Sequence, residues 1–303
     1  VLRAIREEDP ENLRAIRAMN RIFEENEHWN ELADMVEAEL ELVDEQEMNG
    51  VKKRLAGITH QRLDDQERAV DLYEEVLDEQ PEDAEALGAM EELMEHPAAP
   101  SDRISCIVEP LFEQRGAWEK LIWTLEVQIE ESNEPDERVE LFHRIARLQD
   151  EEQGDERGAF ETLARALEDD VEDAHTIGEL YRLAEVLDDW QALVDVFEME
   201  AEEEPDPDVR RELLRRASTI YIDQIGDLEA AAPLLHEVLE IFPSDLETIG
   251  ELEDIYQQLE DWEELVDITR HRADHVEEVE EQKELLYKAG NIYDEVLERP
   301  EDA

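Results

Sequence analysis

The sequence predicts an all-α protein, a solenoid in which helical hairpins repeat along the chain. Three tryptophans, Trp118, Trp190 and Trp262, lie 72 residues apart, and each begins an amphipathic stretch. Within the units that they mark, apolar residues recur at the three- and four-residue spacing of one helix face. Proline and glycine interrupt the pattern where helices would end. Self-similarity at a fixed period indicates stacked supersecondary units.

One amphipathic helix occurs in three clear copies. In the copy at 231–243, apolar side chains follow one another at i, i+4, i+7 and i+8. The copies at 69–81 and 159–171 have the same spacing. This spacing places the apolar side chains on one face, so each copy predicts a helix packed against its neighbours.

The third repeat unit shows the predicted order of elements. Its apolar pattern predicts four helices, at about 190–204, 209–224, 228–242 and 245–260. Pro205 and Pro207 separate the first two helices, and Gly226 with Asp227 forms the turn between the second and the third. Pro243 ends the third helix, and Ser244 is suited to cap the fourth.

The whole of residues 1–303 is predicted to form a single solenoid. Its repeat units lie at about 29–117, 118–189, 190–261 and 262–303. The first unit is longer than the others, because it carries an extra helix at about 84–100. Helices at 84–95 and 101–115, separated by 97–100, are expected to replace a single helix there.

The two ends of the sequence fall inside repeats. Pro10 matches Pro81, and Ala303 aligns with Ala231. A finished array needs polar capping helices at its ends. We therefore expect the sequence to be a fragment of a longer array.

The first helices of the hairpins carry a family resemblance. Leu214, Ala217, Ser218 and Tyr221 form one copy of a pattern that recurs as Leu286, Ala289, Gly290 and Tyr293. Together with the small, large, small and proline order of the second helices, this pattern resembles the tetratricopeptide family. The resemblance implies a right-handed α-α superhelix that binds other proteins and has no enzymatic activity. It specifies the fold and leaves the partner open.

The charge of the chain restricts its partners. Asp and Glu number 90 against 28 Lys and Arg, which gives a formal net charge of -62. Such a charge disfavours nucleic acids and anionic membranes, and it favours cations and basic proteins. Lysine is scarce, as in proteins of salt-accumulating halophiles, and a bacterial source is expected. A chain of this kind is expected to need salt in order to fold, because ions screen its self-repulsion.

Cysteine content and apolar runs bear on localisation and membrane insertion. Cys106 is the only cysteine, so no internal disulfide can form. No apolar run approaches the roughly 20 residues of a membrane-spanning helix. We expect a cytoplasmic protein, or a secreted or cell-surface one if a leader has been removed.

The sequence contains no recognisable catalytic or metal-binding motif. It lacks a glycine-rich phosphate loop, a nucleophile elbow and a cysteine pair. Three histidines follow an acidic residue at i−3, about as many as chance gives in a chain so rich in acids. His271 and His275 share a helix face but have no matched third ligand. We therefore predict no enzyme activity, no metal site and no cofactor.

The predicted first helices differ in charge from the rest of the chain. Taken together, the segments 51–62, 137–148, 209–220 and 281–292 contain 13 basic and 5 acidic residues. In the resembled family, first helices line a concave groove that holds peptides. Carried over by position, the resemblance places these residues in the groove: Arg54, His143, Arg147, Arg215, Tyr287 and Asn291.

Several functions fit these features. The leading hypothesis is a scaffold that binds a protein or peptide partner: either its groove holds an acidic segment through arginine and polar groups, or its outer face contacts a basic protein. Alternatively, the basic residues only offset the acids of the chain itself. A second hypothesis is a structural protein that forms a homopolymer, filament or sheath through its charged faces. A third is an acidic protein that depends on cations.

Overall fold

The computed structural model describes residues 11–299 and is all-α over that range. Sixteen α-helices follow one another within these residues, and no strand occurs among them. The helices are α1 (Leu13–Glu25), α2 (Trp29–Leu40), α3 (Glu45–Leu63), α4 (Gln66–Glu79), α5 (Ala84–Met94), α6 (Ser101–Arg115), α7 (Trp118–Glu131), α8 (Pro135–Arg147), α9 (Glu156–Leu167), α10 (Ala174–Leu187), α11 (Trp190–Glu203), α12 (Pro207–Ile220), α13 (Leu228–Ile241), α14 (Leu246–Gln258), α15 (Trp262–His275) and α16 (Val279–Asn291).

Aspartates start most of these helices. In α5, for example, the Asp83 carboxylate accepts hydrogen bonds from the backbone N–H groups of Glu85 and Ala86. These donors have no partner within the helix, so an acceptor at the N-cap stabilises it, and a negative charge also complements the helix dipole. Asp245, and not the predicted Ser244, caps α14 in this way.

Three of the first helices end in a π-helical segment. The segments Leu148–Gln153, Tyr221–Ile225 and Ile292–Val296 follow α8, α12 and α16. After the first two, Gly154 and Gly226 adopt left-handed backbone angles, with φ of +66° and +78°. Glycine takes this conformation without the steric cost that a Cβ imposes. The hairpin turn predicted at Gly226 is therefore present.

The chain divides into two compact units, Val1–Leu141 and Phe142–Ala303. In the first unit, residues such as Val36, Leu55 and Val76 are fully buried between consecutive helices. In the second unit, one cluster surrounds Phe197 and another surrounds Leu252. Sequence-adjacent helices such as α3 and α4, or α11 and α12, pack against each other. This packing is that of helical hairpins.

The predicted repeat units stay a prediction, although many helix bounds match the sequence pattern. Four helices, α2, α7, α11 and α15, begin at a tryptophan. In the segment of the predicted extra helix, α5 and α6 are separated by six residues, 95–100. The expected matches of Pro10 and Ala303 to repeat positions lie outside the described residues. Within residues 11–299, no helix is both long and apolar enough to span a membrane.

Candidate functional site

A cleft of about 380 Å³ opens in the second unit where α8, its π-helical segment, α9 and α10 meet. Its floor is apolar, and its walls carry charged and polar side chains. The floor consists of Ala146, Ala159, Leu163 and Leu183, and the walls of His143, Arg147, Asp150, Glu151, His175, Glu179 and Arg182. We refer to this site as the histidine cleft.

His143 connects α8 to the start of α10. Its Nε2 lies 2.7 Å from the Thr176 hydroxyl oxygen and 3.3 Å from an Asp173 carboxylate oxygen. Asp173 caps α10 and also accepts a hydrogen bond from the Thr176 hydroxyl. Because that hydroxyl donates to Asp173, it accepts from His143, which places a proton on Nε2.

A second imidazole lies against the first. The rings of His143 and His175 meet edge to face, with centroids 4.5 Å apart. Burial, and secondarily the neighbouring His175, lower the pKa of His143 despite the attraction of Asp173. Low dielectric and a like charge both disfavour the imidazolium. His143 is therefore neutral at pH 7.

Two arginines line the cleft in different states. Arg182 donates to Asp150 at 2.6 Å and to Glu179 at 2.9 Å, so its charge is matched by the chain itself. Arg147, one helical turn after His143, is exposed and forms no ion pair with any residue in the described part of the chain. Arg147 is the guanidinium that the cleft can offer to a ligand.

The contact between α8 and α10 has counterparts elsewhere in the chain. In the first unit, Lys53 on α3 reaches Asp83 at 2.9 Å and Glu85 at 2.6 Å, at the start of α5. In the second unit, Arg215 on α12 reaches α14, where Glu247 and Glu251 each lie 2.7 Å away. We call these contacts bridges, since each connects a first helix to the helix two positions later.

The bridge at the histidine cleft has a different chemistry from the other two. His143 stands where Lys53 and Arg215 stand, and His175 stands where Glu85 and Glu247 stand. Two positions that elsewhere form an ion pair here carry two imidazoles. His143 therefore reaches the start of α10 through the Thr176 hydroxyl and the Asp173 carboxylate, and not through a glutamate at position 175.

The structure brings together two of the six predicted groove residues, His143 and Arg147. Arg215 is on the equivalent face but is occupied by Glu247 and Glu251. Tyr287 is 73% exposed on α16, and Asn291, one turn later, is half-buried. These five residues belong to the second unit, and their role in binding stays a prediction.

Arg54, the sixth predicted groove residue, lies in the first unit, and its role in binding stays a prediction. It extends to Glu24 on α1 at 2.8 Å, whereas the adjacent Lys53 forms the bridge. The hairpin turn gives the signal that identifies Lys53. Asp65 and Asp227 cap equivalent second helices. Lys53, and not Arg54, precedes Asp65 by as many residues as Arg215 precedes Asp227, so Lys53 and Arg215 are at equivalent positions of the repeat.

Sequence reasoning also missed the residues that α10 contributes. His175, Glu179 and Arg182 lie on a helix that was not among those expected to line the groove. The repeat contains a signal that identifies His175. The two equivalent positions carry Glu85 and Glu247, whereas this one carries a histidine.

A second cleft, of about 550 Å³, is strongly acidic and lies between the ends of α9 and α11. Its lining combines six carboxylates with three other residues: Glu168, Asp169, Asp170, Glu200, Glu203, Glu204, Leu167, Val171 and Pro205. Burial, together with the charges of Glu168, Glu203 and Glu204, raises the pKa of Glu200 to about 6. Over residues 11–299, no group of three or more His, Cys, Asp or Glu side chains is placed to hold a metal ion.

Comparisons with known proteins gave matches among solved structures alone. No family model matches the chain, and no curated protein matches it. The P58(IPK) TPR domain shares 15% identity, covering 97% of this chain and 92% of its own, with a TM-score of 0.26. A tetratricopeptide repeat protein from Parabacteroides merdae shares 13% identity, covering 91% and 98%, with a TM-score of 0.26.

A third similar structure is the TPR2AB domain of yeast Sti1, in a complex with pHSP90. It shares 16% identity with this chain, and the match covers 84% of this chain and 94% of that one, with a TM-score of 0.24. The helical hairpins of the chain itself, and the glycine turns between them, are those that the sequence predicts. The chain is all-α and has a tetratricopeptide-like fold.

Proposed function

We propose that this chain is a non-enzymatic scaffold that holds an acidic segment of a partner protein in the histidine cleft. One observation carries the proposal. At the other two bridges, the basic residue is closed off by carboxylates of the chain itself, whereas the histidine cleft contains an exposed guanidinium, Arg147, with no ion-pair partner among the described residues.

The chemistry of Arg147 fits a carboxylate ligand. A guanidinium donates two parallel hydrogen bonds to a carboxylate, and this geometry gives both strength and orientation. The cleft volume of about 380 Å³ lies within the roughly 300–1,000 Å³ typical of ligand sites. Its floor, which includes Leu163 and Leu183, can contact the aliphatic part of a glutamate side chain.

The net charge of -62 opposes any acidic ligand at long range. Salt screens that repulsion beyond a Debye length of about 10 Å at 0.1 M, while a hydrogen-bonded contact is screened less. Binding is therefore best measured at about 0.3 to 0.5 M salt, where the local contacts of the cleft decide the affinity.

The test uses a short oligoglutamate peptide with blocked ends and calorimetric titration. We expect Arg147→Ala to weaken binding about tenfold, which corresponds to about 1.4 kcal/mol, because a charged hydrogen-bond donor is lost. Arg270→Ala is the matched control, since Arg270 is also exposed, is on α15 in the same unit and has no ion pair among the described contacts. It removes the same charge, and we expect its affinity to equal that of the unmodified chain.

Two results would contradict the proposal. Equal losses in both variants would show that the peptide responds to net charge alone. Absence of binding by the unmodified chain over the whole salt range would exclude capture of an acidic segment by the cleft.

A further inference from the structure

We infer that the histidine cleft takes up protons on His143 and His175 when it binds an acidic segment, so that capture strengthens as the pH falls. This inference rests on the proposed function and specifies how the same site is regulated. The protons come from solvent, and no covalent bond changes.

The balance of charge within the cleft is the first argument. On α8 and its π-helical segment, Arg147 faces the cleft with Asp150 and Glu151. On the side of α10, Asp173 caps the helix, and Glu179 and Arg182 line the wall. From α9, the apolar Ala159 and Leu163 form the floor.

These groups give four carboxylates against two guanidiniums. With both imidazoles neutral, the cleft has a formal charge of -2, and with both protonated its charge is zero. A further carboxylate from a partner therefore binds more weakly to the neutral form than to the protonated one. Histidine is the side chain that makes this change between about pH 5 and 8.

The geometry of the two rings is the second argument. His143 is held between His175, at 4.5 Å between ring centroids, and Asp173, at 3.3 Å from its Nε2. Without the peptide, protonation of both imidazoles would place two positive charges side by side, which disfavours the doubly protonated state. A ligand carboxylate between the imidazoles and Arg147 supplies the opposite charge, which favours the imidazolium form. Binding and protonation therefore assist each other.

The other two bridges differ from the histidine cleft in their response to pH. Lys53 and Arg215 are charged throughout the physiological range, and each faces glutamate. Their charge state does not respond to pH near 7. At the histidine cleft, imidazoles replace both the basic residue and the glutamate of this contact. Arg147, beside them, is a guanidinium without an ion pair among the described residues. The bridge whose charge depends on pH is therefore also the bridge whose cleft offers an arginine to a ligand.

The decisive measurement is the number of protons taken up on binding. Calorimetric titration with the oligoglutamate peptide is repeated near pH 6.5 in buffers of different ionisation enthalpy, because the buffer contributes heat in proportion to the protons transferred. We expect uptake of more than zero and at most about two protons by the unmodified chain. Between about pH 7.5 and 6, the affinity then rises roughly tenfold, while the peptide carboxylates stay ionised.

Two variants locate the protons. His143→Gln combined with His175→Gln removes both titrating groups, and we expect proton uptake close to zero. His175→Glu places at this bridge the residue found at its two counterparts, so the helix contact is retained. It charges His143 before the peptide arrives and adds a negative charge, so we expect both weaker binding and less proton uptake.

His28→Gln is the control, because His28 is exposed and belongs to the first unit, whereas all residues that line the cleft belong to the second. We expect its proton uptake to equal that of the unmodified chain. Helix content from circular dichroism verifies that each variant is folded.

The outcomes separate the two proposals. Binding whose heat does not depend on the buffer overturns the proton linkage and leaves the scaffold function standing. Proton uptake that survives the double glutamine substitution overturns it as well, because other groups then titrate. Failure of the peptide to bind at any pH overturns the scaffold function and the linkage together.

Discussion

Basic side chains are scarce in this molecule, and most of those in residues 11–299 contact its own carboxylates. Arg103 pairs with Asp71 and Glu74, and Arg157 pairs with Asp189. Such pairs join helices that are not adjacent in sequence, so they fix the stacking of hairpins more than the stability of any single helix. Exposed pairs contribute only about 0 to 1 kcal/mol each. The bases of the first helices therefore serve mainly as internal partners, whereas Arg147 lines a cleft and has no ion pair among the described residues.

Buried carboxylates show what these contacts achieve. Glu253 is only 6% exposed and accepts hydrogen bonds from Thr269 at 2.8 Å and Arg272 at 2.7 Å. Glu39, in the first unit, is matched in the same way by Arg17 and Asn20. A buried charge without partners is strongly destabilising, so these donors are needed for the helices to pack.

Glu200 in the acidic cleft gives a prediction at the scale of one residue. Burial and the neighbouring carboxylates raise its pKa from 4.5 to about 6. The folded state thus binds the proton more tightly than the unfolded state, and the stability that this contributes is present below about pH 4.5 and is lost as the pH rises through 6. We expect Glu200→Gln to raise the melting temperature at pH 7 to 8 and to leave it nearly unchanged near pH 4.5.

The control for this prediction is Glu202→Gln, which removes the same charge from an exposed position on the same helix. We expect a smaller rise in melting temperature. If both variants raise it equally, the effect comes from the net charge of the chain and not from the environment of Glu200.

At the scale of the element, the glycine turns after the π-helical segments set the course of the chain. Gly154 and Gly226 have φ of +66° and +78°, and a Cβ at either position would have no atom within 4 Å. A side chain there meets no clash with its surroundings, so the cost of adding one is purely that of the backbone conformation. The left-handed region costs a residue with a Cβ roughly 1 to 2 kcal/mol.

We therefore expect Gly226→Ala to lower the free energy of unfolding by about 1 to 2 kcal/mol in urea denaturation. Gly178→Ala is the control, and we expect it to raise the free energy of unfolding. Gly178 is exposed within α10, also with open space around it, and alanine is favoured over glycine there by up to about 1 kcal/mol. Equal loss of stability in both variants would show that the effect is not specific to the left-handed turn, and unchanged stability of Gly226→Ala would contradict the prediction.

The elements were largely predictable from sequence, and their details were not. Apolar spacing with proline and glycine breaks predicts α11, α13 and α14 to within a few residues. The π-helical segments were missed, because widening of the last turn depends on packing between facing helices and leaves no periodic signal. The cleft was predictable in part: the resemblance identified His143, whereas His175 required comparison across bridges whose partners come from different hairpins.

At the scale of the whole molecule, the net charge of -62 dominates the response to salt. Repulsion among exposed carboxylates acts over a Debye length of about 30 Å at 0.01 M and about 3 Å at 1 M. We expect the melting temperature followed by circular dichroism to rise over this range, because long-range repulsion is screened more than hydrogen-bonded pairs are. A fall would show that ion pairs contribute more to stability than the repulsion removes.

The hypothesis of a homopolymer, filament or sheath is tested on the same samples. Light scattering across the salt range is expected to give the mass of a monomer for a scaffold. Growth into large particles that depend on salt would favour assembly through charged faces. A melting temperature that responds to divalent cations and is restored by a chelator would favour the cation-dependent alternative.

The bridge between α8 and α10 also has a mechanical consequence. When a chain of hairpins is pulled, it yields first where neighbouring hairpins are held least firmly. Arg215 holds α14 by two ion pairs, whereas His143 holds α10 by a hydrogen bond to the Thr176 hydroxyl and a contact with the Asp173 carboxylate. Beside this bridge, the Arg182–Asp150 ion pair also joins α10 to the π-helical segment that follows α8. Acidity would therefore change the force at which these helices part through the imidazoles, while that ion pair continues to hold them.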